Sequence, residues 1–364
     1  MIKQPLTILD RYIIKKFIGS FLIVIAMIIV VVVVVDVAEN IQDFLDNKVP
    51  VMEIVTGYYL NFIPYFVNLF SPLFTFVAVI YFTSKLSRNS EIIAMLNAGM
   101  SFYRLMVPYI ISAVFIGILS FYLTNFLIPQ TQRGMMKYKE KYMSSMQVRS
   151  KDIDNHIKTA PNTYAYVHYW DNANNLGYNF WYEFMGDDGI LYKLHAQTIA
   201  WDTVTHIWRL NNYIRRTFDK GKETLEYGDR KDTMLNISIS DFVWVKEGYT
   251  MMNYSEIREF IAEEKEKGSV EIRNYEFEKH RRLAFPFATI ILSVVGLCVS
   301  SRKSKQGVGL HLLLGLLLTF SFIMLLQVSQ VFAIYGGLSP AWAAWTPNIL
   351  YSLLCVVLVK NTPK

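Results

Sequence analysis

The 364-residue chain is poor in the residues that build soluble catalytic sites. It has two cysteines, Cys298 and Cys355, and both fall in apolar runs. The polar central stretch therefore has no disulfide framework, and no Cys or His spacing suits a metal. No GxxxxGK[ST] loop occurs, so this chain is expected not to hydrolyse ATP itself and not to be an enzyme. Neither G-x-S-x-G nor H-E-x-x-H is present. His156, His168, His195 and His206 lack paired spacing and read as structural or surface residues. Charge is scarce as well, at 18% of residues against 53% hydrophobic ones, with a mean hydropathy of +0.26. A wholly soluble or disordered chain is excluded by the clumping of those apolar residues.

What is present is a set of long apolar runs. Met27 to Val35 is all Met, Ile and Val. A bilayer core of about 30 Å takes roughly 20 such residues in a helix. Six spans are expected: Phe17 to Val35, Ile54 to Phe82 broken by Pro64 and Pro72, Leu105 to Ile128, Leu283 to Val299, Val308 to Tyr335, and Ala341 to Val359. They must be helices, because lipid offers no partner for an exposed backbone group. The runs do not alternate as the strands of a membrane barrel would. Residues 1–36 read as a retained first helix, since the run is long for a signal peptide and no small-x-small site follows it.

Basic residues flanking the spans set their direction. Arg11, Lys15 and Lys16, then Lys85, Arg88 and Arg104, then Arg302, Lys303 and Lys305, then Lys360 fall in alternate segments between the spans and all read as cytoplasmic. Asp36, Glu39, Asp43 and Asp46 follow the first span on the outside. Both termini are thus expected in the cytoplasm. The net charge of +6 divides into −1 for residues 131–275 and +7 for the rest. The surplus is a topology signal and gives no support to nucleic-acid binding.

Residues 131–254 change character. Tyr164 to Tyr169, Phe180 to Phe184, Ile190 to Trp201, Ile207 to Phe218 and Met234 to Val245 read as strands separated by Asn-, Asp- and Gly-rich turns. An all-β extracytoplasmic domain is expected, an antiparallel sandwich or jelly-roll-like, and sequence leaves open whether it is closed or carries an apolar groove. Ser255 to Lys267 reads as a short amphipathic helix within a linker over 255–279. The expected fold is a polytopic α-helical membrane protein. Its first half covers 1–130 and its second half 280–364, each with three spans, and the β domain is inserted between them.

Three features stand out. The loop Ser84 to Arg104 carries Ile92, Ile93, Leu96 and Met100 at helical spacing, with Glu91 near the start and Gly99 where a helix would end. Such a helix either lies on the lipid surface or inserts into a groove on a cytoplasmic ATPase. Secondly, Lys279, His280, Arg281 and Arg282 precede the fourth span on the outside, against the positive-inside trend. They either snorkel toward headgroups or contact an anionic amphiphile, with Arg133 and Lys137 at the same face. Thirdly, Asp36 lies at the outer end of the first span, where an interfacial carboxylate is cheap.

Taken in order, these motifs resemble the LptF/LptG permeases of the lipopolysaccharide-export ABC transporter. The resemblance rests on Leu9-Asp10-Arg11-Tyr12, on Ser90-Glu91 through Ala98-Gly99, and on Pro129-Gln130. It continues with Glu278, His280, Arg282 and Pro286, then Tyr335-Gly336-Gly337 and Trp345-Thr346-Pro347-Asn348. It implies an inner-membrane permease with a periplasmic β domain, paired with a second LptF/LptG-type chain and two copies of the ATPase LptB. No cofactor is implied, since ATP is bound by LptB. Lipopolysaccharide would enter laterally between first and fifth helices, then pass to the β domain, to LptC and to a periplasmic bridge. Arg88, Glu91, Leu96 and Gly99 would couple to the ATPase. Arg133, Lys137, His280, Arg281 and Arg282 would contact lipid. One departure stands out: family members can carry lysines for lipid phosphates where this chain has Asp36, Glu39 and Asp43. Two rivals are a permease of another lipid or lipoprotein exporter and a membrane-anchored β-domain sensor. The first usually places its outside domain after the first span, and the second needs no helix at Glu91.

Overall fold

The computed structural model describes residues 7–142, 155–160, 162–171, 174–186, 189–202, 205, 207–219, 222–235, 237, 248–267, 272–301 and 308–362. Arg302, Lys303, Lys305, Gly268 and most of the expected strand Met234 to Val245 lie outside the described residues. The chain forms two compact units. One comprises residues 1–138, 250–254 and 273–364, and the other 139–249 and 255–272.

The first unit is helical. Helix α1 (Ile8–Asp46) has 39 residues and opens with a capping box in which Thr7 and Asp10 satisfy each other's backbone. Helix α2 (Val51–Leu69) and helix α3 (Ser71–Arg88) form a pair bent by 64°. The break falls at Phe70, outside helical geometry, with Pro72 in the first turn of α3. Pro64 sits within α2, and a π-helical stretch, Ile54–Tyr59, lies one turn before it. Proline cannot donate to the ladder and crowds the preceding turn, so widening the helix nearby relieves the clash. Helix α4 (Glu91–Asn97) follows, then α5 (Phe102–Tyr122) and α6 (Ile128–Tyr142), joined by a second π-helical stretch before Pro129. After the other unit come α8 (Ile272–Ser300), α9 (Val308–Ile334) and α10 (Pro340–Asn361). Five helices are long and apolar enough to cross a membrane, or six if the bent pair is one span. Several run past the expected spans because capping and helix-forming polar residues continue them beyond the apolar stretch.

Helix α3 is the hub of this unit. Phe74, Val79, Phe82 and Leu86 pack on Ile13, Phe17, Phe21 and Ile25 of α1 and on Leu105, Tyr109 and Ala113 of α5. Its other face, Phe76 and Ile80, meets Leu292 and Val295 of α8, Phe322 of α9 and Tyr351 of α10. The α1 contacts recur every fourth residue, the stripe of a helix buried on one side. The opposite side of α1, including Leu22, Ile23, Met27, Val30, Val31 and Val34, is exposed.

The second unit holds α7 (Tyr254–Lys267) and a six-stranded antiparallel sheet. Its strands are β1 (Asn155–Ala160), β2 (Thr163–Asp171), β3 (Leu176–Gly186), β4 (Gly189–Asp202), β5 (Ile207–Asp219) and β6 (Lys222–Thr233). Each pairs with the next, so the described strands form a meander and contain no jelly-roll crossover. The sheet has one buried face, built on Val167, Trp170, Phe180, Leu194, Ala196, Ile199, Trp208, Leu210 and Tyr213, with Trp208 Nε1 donating to Ile237 O at 3.0 Å.

A strand normally buries every second residue. Here four strands slip by one at the same level. The inward residues are three apart at Val167 and Trp170, Gly177 and Phe180, Ala196 and Ile199, and Leu210 and Tyr213. The register places His168, Asn179, Gln197 and Asn212 in one row across the slip. Asn179 and Asn212 take positive φ, 54° and 49°, which asparagine tolerates better than most residues. All four side chains of the row are exposed. The sheet is thus creased along a polar line, with its apolar face on the other side.

Candidate functional site

Two places in the helical unit concentrate polar chemistry. At one end, α3 closes at Arg88, and Asn89 and Ser90 make the turn into α4. Ser90 adopts φ 63°. The expected helix over about 84–102 is therefore divided. Arg88 is exposed and belongs to the end of α3, whereas Glu91 opens α4. Ile92 and Met95 are buried against the core, and Leu96 packs at its edge. Gly99 has φ 87°, while Gly99 N bonds Leu96 O and Met100 N bonds Met95 O. That is a Schellman closure, which glycine alone adopts without strain. The other face of α4, with Ile93, Ala94, Asn97 and Ala98, is exposed.

Glu91 is already engaged within the chain. Tyr12 Oη donates to Glu91 Oε2 at 2.9 Å, and Asn89 Nδ2 donates to Oε1 at 3.2 Å. Just beyond α4, Arg104 donates through both terminal nitrogens to the two carboxylate oxygens of Asp10, at 2.9 and 2.5 Å. Sequence reading named Glu91 but neither partnership, because the residues lie 79 and 94 positions apart. The only prior signal was a short polar group, Asp10 to Tyr12, at the head of an apolar helix.

The second place is at the far end. Arg133 is exposed, and its Nε donates to Met251 O at 2.9 Å. Arg282 is buried, donating from Nη1 to Met252 O at 2.9 Å and from Nε to Glu278 Oε1 at 3.3 Å. Arg281 Nε bonds the other carboxylate oxygen at 2.7 Å. One acid thus serves two guanidinium groups one helical turn on, and the burial of Arg282 is balanced inside the chain. A small cavity open to solvent lies here, lined by Tyr65, Asn68, Thr124, Glu278, Arg281 and Arg282 among others. Ser120 Oγ donates to Asn68 Oδ1 at 2.6 Å, and Asn68 Nδ2 to Thr124 Oγ1 at 2.8 Å, which gives the cavity a hydrogen-bonded wall. Lys137 is exposed and His280 half-buried, and neither they nor Arg133 line this cavity. Of the five cations expected at this face, Arg281 and Arg282 are brought together.

Asp36 is not left to the interface alone. Its carboxylate accepts from Tyr58 Oη at 3.1 Å and Tyr59 Oη at 3.0 Å, tying α1 to α2. Among the described residues, no group of three His, Cys, Asp or Glu side chains converges as a metal site.

Membrane-length helices flank an inserted antiparallel sheet, and a short helix with an exposed face joins two of them. That arrangement defines a polytopic membrane protein. The sequence profile of the lipopolysaccharide export system permease LptF/LptG matches residues 11–361, and the chain belongs to that family. No curated protein sequence matches it.

Proposed function

We propose that this chain is one permease subunit of a lipopolysaccharide exporter, working with a second permease of its family and two copies of the ATPase LptB. The reading also places it in the inner membrane of a Gram-negative bacterium with both termini cytoplasmic. The β unit then faces the periplasm and passes lipid to LptC and the bridge. The observation that carries this reading is α4: seven residues held between α3 and α5, with Ile92 and Met95 anchored inside and a second face open. A helix so held transmits force as a rigid body, which a surface-lying helix does not need. Arg88, Glu91, Leu96 and Gly99 would form the contact with the ATPase. The exposed apolar side of α1, with the exposed Leu317, Phe320, Met324 and Val331 of α9, would border the lateral path for acyl chains. Arg281 and Arg282, with Arg133, Lys137 and His280 nearby, would meet lipid phosphate. The test is copurification from native membranes. An ATPase of LptB type should accompany the wild-type chain and be lost with Glu91→Lys. Recovery of this chain with a signalling kinase, or with no ATPase, would overturn the proposal.

A further inference from the structure

The cytoplasmic contacts of α1 carry a role beyond helix packing. Two polar bonds join its first turns to the two ends of the α4 connection. Tyr12 reaches Glu91 at the start of α4, and Asp10 holds Arg104 in the first turn of α5, just after it. Asp10 is itself fixed by Thr7, whose backbone N and Oγ1 donate to Oδ2 at 2.8 and 2.9 Å. Asp10 is 2% exposed, so this ion pair is shielded on the carboxylate side. Between the two bonds, Ile13 and Phe17 of α1 pack with Ile92 and Met95 of α4 in one core. The head of α1 is therefore gripped at both ends of the α4 connection, with a shared apolar core between.

We propose that Asp10 and Tyr12 are positioning residues that form a two-point latch. Through it, displacement of α4 is handed to α1, the helix whose outer flank is open to lipid. This rests on the proposed coupling role of α4 and adds the route by which motion leaves it. Neither residue contacts nucleotide or lipid in the scheme. Arg104 and Glu91 are the points at which α1 is held.

The test uses the assembled transporter in lipid nanodiscs, with lipid released and ATP hydrolysed measured in the same sample. Tyr12→Phe keeps the ring and removes only the hydroxyl, and Asp10→Asn keeps the shape and removes the charge. Each is expected to lower lipid released per ATP by about tenfold or more, on the scale of one hydrogen bond to a charged group, with the ATPase still copurifying. A ratio equal to wild type in both variants would overturn the latch and leave the coupling role of α4 intact. Loss of the ATPase from Tyr12→Phe would also overturn it, since Tyr12 would then act in docking. If Glu91→Lys leaves copurification and export unchanged, the coupling reading falls and the latch with it. Equal thermal unfolding of Tyr12→Phe and wild type separates a fall in the ratio from a loss of fold.

Discussion

Asn179 of β3 and Asn212 of β5 take the same left-handed backbone at the same level of the sheet, with Gln197 of β4 between them. Asn212 Nδ2 donates to Gln197 Oε1 at 2.6 Å, and His195 Nε2 lies 3.0 Å from Asn179 Oδ1. The crease is thus written in two asparagines and bridged by side chains. Asn179→Val or Asn212→Val should each destabilise the β unit by about 1–2 kcal/mol, because a β-branched residue resists positive φ. Asn→Gly at either site should cost much less. Thermal unfolding followed by tryptophan fluorescence reads both, and equal effects of Val and Gly would refute the assignment of strain to backbone handedness.

His195, beside that crease, predicts a pH response. Burial, reinforced by nearby Lys193, holds its imidazole below the usual range. The unfolded chain then binds more protons than the folded one near the ordinary histidine pKa of about 6.5. Stability from this group is complete above that value and declines as pH falls toward the depressed folded pKa. Unfolding temperature should therefore drop between pH 7.5 and 5.5, and His195→Gln should shrink the drop. An unaltered pH slope in His195→Gln would assign the effect elsewhere.

Glu278 neutralises Arg282, which is 3% exposed. Glu278→Ala leaves a buried cation without its acid and should cost about 3–5 kcal/mol. The double change Glu278→Ala with Arg282→Met removes both charges and should recover part of that loss. Detergent-solubilised thermal stability checks the pair, and a double variant weaker than the single one would show that the Arg282 bond to Met252 O matters more.

Asp36 takes two tyrosine hydroxyls, and Tyr58 is 2% exposed. Asp36→Ala should cost about 1–3 kcal/mol by stranding the Tyr58 hydroxyl. Tyr59→Phe, which removes only a donor, should cost about 0.5–1.5 kcal/mol. The same melts decide, and equal stability of Asp36→Ala and wild type would mean that the Tyr58 hydroxyl finds another acceptor.

Period and composition made the membrane helices, the strands β2 to β5 and the end of α4 at Gly99 legible in the sequence. β6 was not, because Lys222 to Thr233 holds seven charged residues among twelve and shows no apolar alternation. It is the last strand of the described sheet, where charge discourages pairing with other chains. The crease was hidden for a related reason: a slip from spacing two to spacing three looks like noise in one strand and acquires meaning only across four. At the sites, Glu91, Arg281 and Arg282 could be picked out by position, but their partners could not. Tyr12 reaches Glu91 and Met252 reaches Arg282 through tertiary packing, as Asp10 reaches Arg104, and local periodicity encodes none of these.

Helix α1 has 39 residues, so it is about 58 Å long against a hydrocarbon layer of about 30 Å. Nearly half its length has no acyl chains beside it. Moved as a rigid rod, it would act as a see-saw: a tilt of about 10° about the midpoint would swing each tip by about 5 Å in opposite directions. A nudge at Tyr12 would then be felt as a contrary swing near Phe44, with no residue between them having to change its backbone.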